Sequence, residues 1–310
     1  MEQSFVGIDV SKDRLDVHVR PGGEAFAVAR DGEGLAALTK RLAGLSVGLI
    51  VMEATGGFEQ VVAGALGAVN LPVVVVNPRQ IRAFASSFNR LAKSDPLDAE
   101  MNALFAERIR PEPRPLPDAQ ARLLGELVAR RRQLIEMIVA EGNRALMLES
   151  RKLKKRIQRH RDSLQKELSE IEADLDDTIR GTPIWRETED LLKSVPGIGN
   201  TVARALIAEL PELGHLDRKK IAALVGVAPY TRQSGTWDGK RHIQGGRASV
   251  RAKLYMAALC ASRHNAVIAA FYRRLLQAGK PKKLALTACM RKLLTMLNAI
   301  IRDRRQWHHA

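Results

Sequence analysis

Cysteine is scarce in this sequence: Cys260 and Cys289 are the only two. They form no C-x-x-C pair, which removes the usual thiolate zinc site and argues against a disulfide framework. Both fall in Ala- and Leu-rich stretches with helical spacing, so buried, reduced thiols and a cytoplasmic (bacterial) location are expected. Aromatic residues make up 4% of the chain, too few for base stacking to be the main mode of nucleic-acid contact. The longest apolar runs, such as Leu71 to Val76, fall far short of the ~20 residues needed to cross a bilayer. The opening MEQSFVGIDV has no basic segment leading into an apolar one, so no secretory signal and no membrane partner are expected. No zinc-finger, RRM or major-groove helix signature stands out.

Acid is also missing, but only locally. The 310 residues carry 50 Lys and Arg against 34 Asp and Glu, a formal charge of +16. Residues 1–110 hold 12 basic and 13 acidic side chains, and residues 111–217 hold 18 and 19. Residues 218–310 hold 20 basic and 2 acidic ones. The last third therefore carries the whole excess, and a polyanion is the partner it suits.

What is present divides the chain into segments. Residues 1–110 read as an α/β domain. Strands are expected at Phe5 to Val10, Leu15 to Val19 (half-buried by its alternation) and Ala25 to Ala29. Helix then alternates with strand: Gly34 to Leu45, Gly48 to Met52, Phe58 to Val69, Pro72 to Val76 and Arg79 to Phe88. Three strands followed by this alternation is the order of an RNase H-like fold. Pro111, Pro113, Pro115 and Pro117 mark residues 111–118 as a stiff linker. Residues 119–180 lack proline and read as long helices, a hairpin or coiled coil fit for dimerisation. Residues 181–310 read as a compact helical domain. Within it, Val195-Pro196-Gly197-Ile198-Gly199 resembles the turn of a helix-hairpin-helix module, where Gly197 and Gly199 would let backbone amides approach a phosphate.

The chemistry points to carboxylates. Asp9 stands among strand apolars, which is costly unless it is paired or binds metal. Glu53 ends the strand Leu49 to Met52. Asp95 and Asp98 flank Pro96 and Leu97 at a helix start, three residues apart and so near one face of its first turn. Either aspartate alone also fits a helix cap. Together the four are hard oxygen donors suited to two Mg²⁺ ions at a phosphodiester. For phosphate contacts the candidates are Arg151, Lys152, Lys154 and Lys155 in the middle segment, and Arg218, Lys219, Lys220, Lys240, Arg241, Arg247, Arg251 and Lys253 in the basic tail. Tyr230 and Trp237 flank Ser234 and fit either a base contact or a core position.

These motifs together resemble the insertion-sequence 110 family of transposases, the bridge-RNA-guided recombinases. The likeness rests on Gly7-Ile8-Asp9-Val10-Ser11-Lys12, Met52-Glu53-Ala54-Thr55-Gly56 and Ser94-Asp95-Pro96-Leu97-Asp98-Ala99, in order and spacing. Pro196-Gly197-Ile198-Gly199, Leu224-Val225-Gly226-Val227-Ala228-Pro229 and Gln233-Ser234-Gly235 continue it over nearly the whole chain. Gln244-Gly245-Gly246-Arg247 departs from a stretch that usually reads Lys-Arg-Gly-Asn, and Ser249 follows closely.

The resemblance implies a RuvC-like domain bearing the quartet Asp9, Glu53, Asp95 and Asp98, and a C-terminal transposase domain with Ser234 as nucleophile. It implies Mg²⁺, donor and target DNA, a guide (bridge) RNA, and a composite site between protomers of a dimer or tetramer. Without it, Ser234 reads as a turn residue before glycine, and His242 lacks an acid partner for a triad. Three alternatives stay open at this point: a junction-resolving nuclease using the carboxylates alone, an actin-like kinase, and a non-catalytic scaffold. A second Asp-x-Gly phosphate loop, which the kinase needs, is absent.

Overall fold

The computed structural model describes residues 3–90, 94–113 and 118–308. The chain forms two compact units, residues 1–117 and 118–310. Pro111 and Pro113 of the expected linker are described, whereas Pro115 and Pro117 lie outside the described residues.

The first unit opens with β1 (Ser4–Val10), β2 (Arg14–Arg20) and β3 (Glu24–Ala29), then α1 (Gly32–Ala43), β4 (Val47–Glu53), α2 (Phe58–Ala68), β5 (Val73–Val76), α3 (Pro78–Ser87) and α4 (Asp95–Ile109). The sheet runs β3-β2-β1-β4-β5. Its first three strands are antiparallel, while β1, β4 and β5 are parallel to one another. This mixed sheet is consistent with the expected RuvC-like domain.

The period of two along the strands sorts side chains onto two faces. Ile8, Val17, Ile50 and Met52 pack with Leu38 and Leu42 of α1 and Val62 and Leu66 of α2. On the other face, Phe5, Leu49, Val51 and Val74 pack with Ile81 of α3 and Met101 and Phe105 of α4. The sheet is thus covered on both sides, and β2 is buried on both faces rather than one.

Helix α4 presses so closely on β1 that a side chain at Gly7 would run into the Ala99 carbonyl and the Ala103 amide. Asn102, fully buried, donates from Nδ2 to the Ile8 carbonyl at 3.0 Å and ties helix to strand. Gly7→Ala must push α4 outward, at about 2–3 kcal/mol of overpacking. Urea unfolding should show a lower midpoint by that amount. A change under about 0.5 kcal/mol, the range of ordinary surface substitutions, would contradict this packing.

The second unit begins with α5 (Ala119–Leu146) and α6 (Arg151–Gly181). They pair as an antiparallel hairpin through Leu134, Leu164 and Leu168, and through Leu124, Leu175 and Ile179. Ion pairs Arg130–Glu167 and Arg131–Glu172 flank this seam. Helices α7 (Pro183–Lys193), α8 (Asn200–Glu209) and α9 (Arg218–Val225) follow. The rest is β6 (Pro229–Ser234), β7 (Trp237–Ile243), α10 (Ala248–His264), α11 (Ala266–Gln277) and α12 (Lys282–Asp303).

The hairpin β6–β7 corrects the expectation of a purely helical domain. All of β6 is exposed, so no apolar alternation marks it in the sequence. The core joins Leu192, Val195, Leu206, Ile221, Leu254 and Leu293. Helix α12 is long and apolar enough by composition to cross a membrane, contrary to the count of apolar runs, yet half of its apolar window is buried.

The cysteines divide. Cys289 is buried in this core and Cys260 is exposed, so only one matches the expectation of two buried thiols. Burial pushes the Cys289 thiol up to about 11. At pH 8 its thiolate, the reactive form, is then on the order of a thousandth of the total. A disulfide-exchange reagent should titrate one thiol in the folded protein and two after denaturation. Two fast thiols in the native state would contradict the buried position of Cys289.

Candidate active site

Two neighbouring parallel strands end side by side at one edge of the first unit. Asp9 lies at the end of β1 and Glu53 is the last residue of β4. Strand parity puts Asp9 on the face of Phe5 and Gly7, and Glu53 on the face of Leu49 and Val51, which is the α3–α4 face. Asp98 comes from the first turn of α4, held there by its amide donating to the Ser94 carbonyl at 2.9 Å.

Asp9, Glu53 and Asp98 line one cavity of about 610 Å³ with Thr55, Arg82, Arg90 and Leu97. Its place, beyond the carboxyl ends of parallel strands, is where open α/β sheets commonly bind ligands. Asp95, the exposed first residue of α4, is not among the lining residues.

The donor set is hard oxygen throughout, which suits Mg²⁺ or Mn²⁺ rather than a softer ion. Among the described residues no group of three or more Asp, Glu, His or Cys side chains is gathered closely enough to hold a metal ion. The three acids nevertheless share one cavity.

The loop after Glu53 is built by another acid. Glu59, buried near the start of α2, accepts from the Thr55 amide at 3.0 Å and the Gly57 amide at 2.8 Å. Gly56 (φ 74°) and Gly57 (φ 113°) take backbone conformations that side chains disfavour. Glu59 therefore shapes the turn that follows Glu53.

Sequence reading missed Asp16 and Arg14. Asp16 pairs directly with Asp9 across β1–β2 and is buried to 5% exposure. Directly paired residues share a face, so a further acid stands on the α4 side of the sheet. Arg14 forks onto it, with Nε at 3.0 Å and Nη2 at 2.7 Å. The hydrogen bond and charge of Asp16, and more weakly Asp95, raise the Arg14 pKa. Arg14 thus neutralises Asp16 beside the candidate quartet. The signal was available: an acid in a strand, two residues after an arginine.

Ser234 lies in the second unit, at the exposed tip of β6, paired with Trp237 across a turn that holds Gly235 at φ 56°. Tyr230 and Trp237 are both exposed, 42% and 60%, so neither is core. His242 pairs with Tyr230, four residues along β6 from Ser234. At ~3.4 Å per residue that is about 14 Å, too far for His242 to take the serine proton in this hairpin. Ser249 is engaged elsewhere, donating to the Glu209 carboxylate.

The basic candidates separate into two groups. Arg247 forks onto Glu212 (2.6 Å to Oε1), Lys253 bonds Glu209 at 2.9 Å, and Arg251 donates to the carbonyls of Val225 and Gly245. These three hold the base of the hairpin to α8 and α9, where Gly246 lies against the backbone of Gly226. Gly197 (φ 104°) lies against Ala261 and serves close packing, whereas Gly199 faces open space as the cap of α8.

The second group is exposed. Lys219, Lys220, Lys240 and Arg241 are open to solvent, as are Arg151, Lys152, Lys154 and Lys155. The last four form the first turns of α6, where positive charge opposes the helix dipole. Such a placement costs stability and is relieved by an anion.

A mixed sheet with acids at the ends of its parallel strands, together with a strongly basic second unit, fits an enzyme that acts on DNA. Residues 6–148 match the family model DEDD_Tnp_IS110, described as "Transposase", and span all four candidate acids. Residues 189–273 match "Transposase IS116/IS110/IS902 family" and include Ser234. The chain belongs to the insertion-sequence 110 family of transposases. It is also similar to the pilin gene-inverting proteins of Moraxella bovis and Moraxella lacunata, at 28% identity over 98% of this chain and 98% of each relative. As an enzyme of this family it acts on DNA, and its DEDD domain points to a divalent-metal requirement.

Proposed function

We propose that this chain cuts and rejoins DNA strands through a covalent serine intermediate, with Mg²⁺ held by Asp9, Glu53 and Asp98 and by Asp95 from the same helix turn. The observation that carries the reading is the convergence of Asp9, Glu53 and Asp98 on one cavity. Bound there, a divalent ion supplies charge stabilisation at the reacting phosphate. The chain's own residues do the rest. Asp9 and Glu53 are fixed by adjacent strands, and Asp98 is fixed because Gly7 and Asn102 lock α4 onto β1. Arg14 keeps Asp16 from adding another uncompensated negative charge.

In the proposed reaction the Ser234 oxygen attacks phosphorus. One Oγ–P bond forms as one P–O bond to the sugar breaks, and the serine proton passes to solvent or to the leaving oxygen. The phosphoserine ester conserves the bond, so a sugar hydroxyl of the other strand later displaces the serine without ATP. Donor and target DNA are the substrates. A guide RNA that specifies sequence by pairing fits a sequence in which no major-groove helix signature stands out, the protein gripping backbone. Lys219, Lys220, Lys240 and Arg241, with Arg151, Lys152, Lys154 and Lys155, are the proposed phosphate contacts, and Gly199 offers open backbone at the start of α8. Arg247, Arg251, Lys253 and Gly197 would act by holding this surface in shape. Assembly is proposed as a dimer or tetramer with the α5–α6 hairpin as the joining element.

The test uses full-length protein, guide RNA and end-labelled donor DNA, resolved on a denaturing gel with and without EDTA. A protein-linked DNA band that EDTA abolishes is expected. Cleavage without any linked band would replace this reading with a metal-dependent junction nuclease.

A further inference from the structure

The basic side chains of the tail are not evenly placed, and one concave surface gathers them. A cavity of about 850 Å³ runs between the start of α9, strand β7 and the outer face of α12. Arg218 and Lys219, Arg241, and Lys283, Arg291 and Lys292 stand on its walls, and no Asp or Glu lines it. Ion pairs elsewhere in this unit tie down Arg204, Arg247 and Lys253. Among the described residues no side-chain salt bridge ties any of the six groove cations to a carboxylate, and only Asp217, at the cap of α9, stands near Lys219. Two of the walls are helix starts, α9 at Arg218 and α12 at Lys282; at α9 the Asp217 carboxylate already caps the helix, accepting from the Lys219 and Lys220 amides, whereas the cations that open α12 stand where the dipole favours anions.

The groove is more than a charged rim. Its exposed lining is mainly apolar, with Leu284 and Ala288 from α12 beside Thr287, and with Phe271 from α11. The Lys292 ammonium stands 4.9 Å from the Phe271 ring centre, so the aromatic face already receives a cation. The opposite face of α12, with Cys289, Leu293 and Leu297, is core, so the apolar lining does not belong to a helix waiting to be buried elsewhere.

A duplex offers phosphates to such a rim but keeps its base faces stacked away from the floor. An unpaired strand offers both, phosphates to the cations and base faces to the apolar floor. We infer that this groove is a binding track for single-stranded nucleic acid, RNA or DNA, which shares Lys219 and Arg241 with the proposed phosphate contacts and adds Lys283, Arg291 and Lys292 to them. The inference rests on the recombinase reading for its biological sense, but its chemistry is testable alone.

The experiment measures fluorescence anisotropy of a fluorescein-labelled mixed-sequence oligonucleotide of about 15 nucleotides, as DNA, as RNA and as blunt DNA duplex. Full-length wild type is compared with Lys283→Glu/Arg291→Glu and with Thr287→Trp, each checked for native circular dichroism. The double variant should weaken single-strand binding at least about tenfold and reduce the salt slope by about 1.4, two phosphates at ~0.7 each. Duplex affinity should change less than about twofold. Thr287→Trp fills the floor without changing charge, so single-strand affinity should fall with the salt slope unchanged.

Preference for the RNA or the DNA oligonucleotide tells which strand occupies the track. Equal losses for duplex and single strand would overturn the inference, as would unchanged affinity in both variants. Binding of anionic lipid vesicles in place of the oligonucleotides would also overturn it. So would a shift in oligomeric state by light scattering with nucleic-acid affinity intact. DNA cleavage by wild type and Asp9→Asn is assayed in parallel. Intact cleavage with no single-strand binding sinks the groove alone, whereas single-strand binding without cleavage sinks the recombinase reading alone.

Discussion

Asp9→Asn is expected to lower DNA strand cleavage by about a thousandfold or more, with little change in stability or in DNA affinity. Asparagine keeps the size of the side chain but removes the charge that would anchor a divalent ion. A bound metal contributes several kcal/mol to stabilising charge at a phosphodiester. At ~1.4 kcal/mol per decade of rate, losing about 4 kcal/mol gives the stated factor. Glu53→Gln and Asp98→Asn should behave alike, because the three acids line the same cavity. Effects of residues acting as a unit do not add, so the triple variant should be scarcely slower than the single ones. The measurement is initial-rate cleavage of labelled donor DNA, with binding followed separately. Asp9→Asn protein that cleaves within about tenfold of wild type would remove the carboxylates from the chemistry.

Ser234→Ala should abolish the protein-linked DNA band altogether and reduce strand exchange by about ten thousandfold or more. Loss of a serine nucleophile elsewhere costs on the order of a millionfold in turnover. Ser249 is committed to Glu209, so Ser249→Ala serves as the control and should keep the linked band. Because Ser234 is exposed at a hairpin tip, its removal leaves no cavity and stability should be unchanged. A linked band that survives in Ser234→Ala would move the nucleophile to another residue.

The first unit was largely legible because its strands carry the signal that folding itself uses. Val6, Ile8 and Val10 bury one face, and the β-branched run Val73–Val76 has no plausible helical alternative. The strands and helices expected there lie within two residues of those observed. What the alternation hid was the second covered face. Leu15-Asp16-Val17 reads as apolar-polar-apolar, so Asp16 passes for a solvent residue. Its burial follows from α4, some eighty residues later in sequence, packing over Gly7, and no local pattern encodes that contact.

In the second unit the α5–α6 hairpin was readable from its helical period, but β6–β7 was not. Pro229-Tyr230-Thr231-Arg232-Gln233-Ser234 is exposed throughout, and its neighbour has only Gly239 buried. A strand that buries nothing leaves no hydrophobic period to find. The same limit applied to the basic tail. Charge counts located the excess, yet which cations are free depended on Glu209 and Glu212, acids that lie outside the tail. Lys283, Arg291 and Lys292 escaped notice because they stand on the back of a helix whose other face dominates its hydropathy.

Metal uptake tests the carboxylate cavity most directly. Free Mn²⁺ is counted by electron paramagnetic resonance as the ion is titrated into wild type, Asp9→Asn and Asp98→Asn. The wild type should take up manganese saturably, with Mg²⁺ competing, and each variant should bind at least about tenfold more weakly. Identical uptake by all three proteins would show that these acids do not hold the ion and would contradict the account.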